Sequence, residues 1–117
     1  MKNFKKLQIW QQGMELVKKV NKLSKSLPSS EKYGLTNQIT RATVSIPSNI
    51  AEGSSRNSEK DYQHFLQIAL GSSFEVETQL LIMQKLEMVP KQAVRLVMDI
   101  LIPEQKMINS LISKLNQ

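Results

Sequence analysis

The chain has 117 residues, 40% of them hydrophobic, with four Gly, four Pro and no Cys, which suits one closed core and leaves too few turn formers for a loop-rich sandwich or barrel. The absence of Cys excludes a disulfide scaffold, an iron–sulfur cluster, a thiolate zinc site and a cysteine nucleophile together, and points to an intracellular chain. The net charge of +6 is unevenly placed: residues 1–32 hold eight Lys against Glu15 and Glu31, whereas residues 33–117 hold eight Lys or Arg against eight acids.

Lys2, Lys5 and Lys6 open the chain, but Gln8, Gln11, Gln12 and Glu15 interrupt the next segment, so no secretion signal is expected. The longest apolar stretches, around residues 80–83 and 94–102, fall far short of the ~20 residues a membrane helix needs. A single soluble, cytoplasmic domain over 1–117 is the expectation.

The first periodic segment spans about 7–26, with Trp10, Met14, Val17, Val20 or Asn21, and Leu23 at helical spacing. Pro28 ends it, and Ser29 and Ser30 are placed to cap a second helix over about 31–53 whose first turn holds Glu31. There Leu35, Ile39, Ala42, Ile46 and Ile50 form one apolar stripe. Pro47 inside that stripe predicts a kink, and Gly53 is expected to close the helix in the left-handed cap position.

Ser58 with Asp61 resembles a capping box opening a third helix over about 59–87. Tyr62, Leu66, Ala69, Ser73, Val76, Leu80 and Met83 alternate steps of four and three, the seam of a left-handed bundle, and Gly71, Ser72 and Ser73 make its middle thin. The fourth segment, about 91–115, carries Val97, Ile100, Leu101, Met107, Ile108, Leu111, Ile112 and Leu115. At Pro103 it either bends or restarts. The fold expected is all-α: an antiparallel up-and-down four-helix bundle, kinked at Pro47.

The residues offer little for catalysis. There is one His, no Gly-x-Ser-x-Gly elbow and no phosphate-cradling Gly-rich loop. His64, three residues after Asp61, is half of a di-iron bundle motif with no second half, so neither a metal nor a cofactor nor a catalytic residue is assigned. Two polar groupings remain. Lys18, Lys22 and Lys25 share a face of the first helix and, with Lys5 and Lys6, are candidate contacts to nucleic-acid phosphates. Gln38, Arg41, Ser45, Asn49 and Glu52 form a ridge beside the apolar stripe of the second helix. Being richer in amides and hydroxyls than a solvent face, it reads as a structural or interface ridge, with partners for Arg41 and Glu52 expected on another helix or subunit. Trp10 reads as a core or interface anchor.

The segment SIPSNIAEG at 45–53, with Tyr33-Gly34-Leu35, Gln38-Ile39 and Arg41-Ala42 before it, closely resembles the four-helix bundle family of 23S rRNA intervening-sequence proteins. Phe65-Leu66, Ile68-Ala69, Gly71-Ser72 and Glu75 resemble the family's third helix, and Trp10 and Pro28 with Glu31 its first helix and turn. Leu27 stands where an aromatic commonly precedes the proline, and Glu87 where a glycine often ends helix three. The resemblance implies a ring-like homopentamer without enzymatic activity, and relatives that serve as accessory proteins of diversity-generating retroelements, binding nucleic acid and a reverse transcriptase. Two functions are therefore expected: a homo-oligomer that binds RNA or DNA backbone through helix one, or an adaptor for a protein such as a reverse transcriptase.

Overall fold

A computed structural model describes residues 3–31 and 33–116. Met1, Lys2, Lys32 and Gln117 lie outside the described residues, and with them the expected contribution of Lys2 to the basic face. After a short 3-10 turn, Phe4–Lys6, the chain forms α1 (Gln8–Ser24), a second 3-10 turn (Ser29–Glu31), α2 (Leu35–Ser54), α3 (Glu59–Lys85) and α4 (Lys91–Leu115). Each helix packs on its sequence neighbours and α4 closes on α1. This is the expected up-and-down bundle, 43 × 22 × 20 Å in extent.

The seam of α3 is fully realised, since Tyr62, Leu66, Ala69, Ser73, Val76, Leu80 and Met83 are all buried. Ser58 caps that helix by accepting from the Asp61 amide at 3.1 Å. The α1 stripe differs from expectation by one position. Ile9, Gly13, Leu16, Val20 and Leu23 face the core, Trp10 and Val17 are half-buried and Met14 is exposed. Gly13 has no apolar side chain, so the true seam reads as interrupted, yet at that point α1 meets the ring of Pro47.

α2 begins at Leu35 and not near residue 31. Gly34 holds a non-helical backbone and stops the preceding turn from propagating, while Glu31 Oε1 accepts from the Leu35 amide at 3.4 Å and so still serves the positive helix end. The helix then runs unbroken through Pro47, and α4 likewise runs unbroken through Pro103, which excludes a restart there.

Gly53 is not a left-handed cap. It is helical and buried, and a Cβ there would lie 2.8 Å from Phe65 Cβ and 3.0 Å from Tyr62 Cδ1, so the glycine is needed for the close approach of α2 and α3. The left-handed residue is Glu87, φ 56°, after α3. Its amide donates to the Gln84 carbonyl at 3.1 Å and the Met88 amide to the Met83 carbonyl at 2.9 Å, a complete Schellman ending with Glu where glycine is usual.

Candidate nucleic-acid interface and the bundle interior

The exposed charge separates by helix pair. α1 presents Lys18, Lys19 and Lys22, with Lys25 just beyond it, and α4 presents Lys91, Arg95, Lys106 and Lys114; the exposed acids of these two helices are Glu15 and Asp99. α2 and α3 expose Arg41, Lys60 and Lys85 against Glu52, Glu59, Asp61 and Glu75, with Glu77 half-buried. The apparent balance of residues 33–117 therefore conceals a split in which the acids gather on α3 while the cations of α4 join those of α1. Sequence reasoning found the α1 half and missed the α4 half, because helix adjacency and not chain order decides which charges add.

The sequence-predicted cations all lie exposed on this side, in two groups. Lys5 and Lys6 sit on the first 3-10 turn, at the end where Leu7, Gln8 and Ile9 meet Lys106, Met107, Leu111 and Lys114 across a groove of about 350 Å³. Lys18, Lys22 and Lys25 lie toward the other end, where Lys19 and Lys22 border a second α1–α4 groove of about 220 Å³ with Ala93, Leu96 and Val97. Lys91 and Arg95 extend the cationic surface to the groove between α4 and α3. Aromatic stacking surface is scarce: Trp10 is half-buried with Phe4 edge-on at 5.3 Å. The face offers charge to a backbone more than platforms to bases.

The polar ridge on α2 divides. Ser45 and Asn49 are half-buried and joined to α3: the Ser45 and Ser72 hydroxyls are 2.9 Å apart, and Asn49 Nδ2 donates to Ser45 Oγ at 2.9 Å and to its carbonyl at 2.8 Å. Gln38, Arg41 and Glu52 are exposed. The expectation that Glu52 reaches another helix is corrected, because Arg56, one turn onward, takes its carboxylate at 3.4 Å and also lies over the Phe65 ring at 4.8 Å. Of the thin patch on α3, Ser73 is buried, Ser72 half-buried and Gly71 exposed with open space around it. His64 is exposed beside Phe65, and among the described residues no group of three or more His, Asp or Glu is placed to hold a metal ion.

One polar residue of the interior was not anticipated. Glu104 is 0% exposed, and neither carboxyl oxygen has a hydrogen-bond partner. Desolvation pushes its pKa from 4.5 up to about 8. The available signal was positional: Val97, Leu101, Glu104, Ile108 and Ile112 step along one seam of α4, with the acid in a core position.

A helical bundle with one cationic side and a sealed interior is the class these features define. A profile described as 23S rRNA-intervening sequence protein matches residues 5–110, and the chain belongs to that family. Among solved structures it is similar to a protein of unknown function from the S23 ribosomal protein family of Bacteroides thetaiotaomicron VPI-5482, with TM-score 0.83 and 25% identity over 89% of this chain and 97% of that one. No curated protein matches the chain. Among the described residues, no helix is long and apolar enough to cross a membrane.

Proposed function

We propose that this protein is a non-enzymatic, cytoplasmic homo-oligomer that binds RNA or DNA backbone through the outer face of α1 and α4. The observation that carries this reading is the segregation of charge: α1 and α4, with Lys25 just beyond α1, expose Lys18, Lys19, Lys22, Lys91, Arg95, Lys106 and Lys114 against the exposed acids Glu15 and Asp99, whereas α3 exposes Lys60 and Lys85 against Glu59, Asp61 and Glu75. On α1 and α4 the one aromatic is half-buried Trp10, packed edge-on with half-buried Phe4, which favours contact with phosphates over base reading there. The link of the family's name to an rRNA intervening sequence supports a nucleic-acid setting.

Assembly is supported by an apolar stripe. Phe74, Leu81 and Ile82 of α3 and Leu86 just beyond it are exposed on one side of the helix, with Leu81 at the edge of the groove that Lys91 and Arg95 line. A second copy of the chain is the proposed occupant, with the ring of five implied by the family resemblance as the expected assembly. The adaptor reading assigns the same stripe to a protein such as a reverse transcriptase. Gel-shift titration of an RNA and a DNA at two ionic strengths, with light scattering on the free protein, separates the readings. Binding that weakens steeply with salt together with an oligomeric mass supports the proposal, and absent binding at low salt overturns it.

A further inference from the structure

Glu104 lies where three helices converge. A Cβ placed on Gly13 would stand 3.4 Å from Glu104 Oε2 and 3.3 Å from Pro47 Cβ, so the carboxyl is walled by α1 on one side and the proline ring of α2 near it. Neither wall offers a donor at that point. Gly13 contributes only helix backbone, and proline has no amide hydrogen. Other ionisable groups are remote from compensating it. Among the buried residues of α1, α2 and α3 there is no Lys, Arg, His, Asp or Glu, and Tyr62 is the remaining ionisable side chain. From α3, half-buried Glu77 accepts from Gln105 Nε2 at 2.8 Å, which places a like charge beside the next residue of α4.

A carboxylate in such a place is uncompensated, whereas the neutral acid costs only its unsatisfied hydrogen bonds. The two α1–α4 grooves flank the Gly13–Glu104 contact, one toward each end of the bundle, leaving that contact as the closed middle of an indented seam.

We infer that Glu104 is a proton-operated latch: as the neutral acid it lets α1 and α4 close across Gly13, and on losing its proton it drives that seam open to water. The inference does not depend on what the outer face binds. The desolvated carboxyl holds its proton in the closed bundle to about pH 8 and releases it in the open state near 4.5. Closure is thus favoured in full below the lower value, weakens as pH rises, and its contribution is lost once the upper value is passed.

The test is amide exchange on the intact chain between pH 6 and 9, corrected for intrinsic exchange, alongside carbon NMR of glutamate carboxyls. The Glu104 carboxyl should titrate above pH 7. Exchange in the middles of α1 and α4 should rise relative to α2 and α3, by up to about tenfold per pH unit until pH 8 is reached. Glu104→Gln should abolish this differential rise, and Glu104→Met serves the same purpose should the amide prevent folding. A Glu104 resonance titrating between pH 4 and 5, a rise equal in all four helices, or an unchanged rise in the variant overturns the latch.

Discussion

Gly53 of α2 and Phe65 of α3 stand so close that a β-carbon on the glycine would fall 2.8 Å from that of the phenylalanine, with the Tyr62 carbonyl at 3.3 Å behind it. Alanine ordinarily stabilises a helix interior by about 1 kcal/mol relative to glycine. At Gly53 that gain is outweighed, because part of the obstruction is backbone and α3 must shift outward as a whole. Gly53→Ala is expected to lower stability by about 1 to 3 kcal/mol, the range typical of overpacking, as read by urea unfolding.

Gly71 is the opposite case on the neighbouring helix. It is exposed, it is helical, and a β-carbon there meets nothing within 4 Å. Gly71→Ala should stabilise the isolated chain by about 0.5 to 1 kcal/mol through reduced unfolded-state entropy. The same variant probes assembly, since Gly71 precedes Phe74 by one turn on the outer side of α3. A lower mass by light scattering with a raised melting temperature would place a subunit contact over Gly71.

At the α3–α4 turn Glu87 holds φ 56° at the position whose amide donates one Schellman hydrogen bond and which precedes the donor of the other, Met88. A side chain in this region costs about 1 kcal/mol that glycine avoids. Glu87→Gly should therefore raise stability by about 0.5 to 1 kcal/mol despite the added unfolded-state freedom. Thermal melting decides, and a loss of stability would mean that the Glu87 side chain contributes more than its backbone costs.

Helix number, seams and ends were legible wherever apolar residues recur without interruption, as from Tyr62 to Met83. The pattern misleads where the decisive residue lacks hydrophobicity. Gly13 occupies a core position on α1 with no side chain to announce it, and Glu104 occupies one on α4 with a side chain that announces the surface. Gly53 misled for a related reason: its place before a polar turn suits a cap, and only the approach of Tyr62 and Phe65 shows that its missing side chain is the point. The basic face was half legible, because charge counted along the chain cannot register that α4 folds back beside α1. The family resemblance rested on local motifs and was unaffected by these errors.

If the α1–α4 face carries nucleic acid, each phosphate-contacting cation contributes about 0.7 to 0.9 to the slope of log affinity against log salt. Lys22→Gln and Arg95→Gln should each flatten the slope by roughly that amount, and their effects should add. Lys60→Gln and Lys85→Gln, which remove equal charge from α3, should leave it unchanged. Titration by fluorescence anisotropy across salt distinguishes a local footprint from a general effect of net charge, under which all four variants would behave alike.

The polar ridge of α2 gives the remaining prediction, because its members differ in what they would leave behind. Ser45 Oγ is shared: it meets the Ser72 hydroxyl at 2.9 Å and accepts from Asn49 Nδ2 at 2.9 Å, so Ser45→Ala removes two hydrogen bonds, stranding the Ser72 hydroxyl and leaving Asn49 Nδ2 with the Ser45 carbonyl at 2.8 Å. Ser72→Ala strands only one side of that pair, since Ser45 keeps Asn49. With a net value of about 1 kcal/mol for each hydrogen bond, Ser45→Ala should cost about 1 to 2 kcal/mol and Ser72→Ala about half as much. The double variant should cost little more than Ser45→Ala alone, a coupling that marks direct contact between α2 and α3. Glu52→Ala removes an exposed pair with Arg56 and should change the stability of the isolated chain by less than about 0.5 kcal/mol. A larger effect of Glu52→Ala, accompanied by a change of mass in light scattering, would show that the exposed end of the ridge meets another subunit.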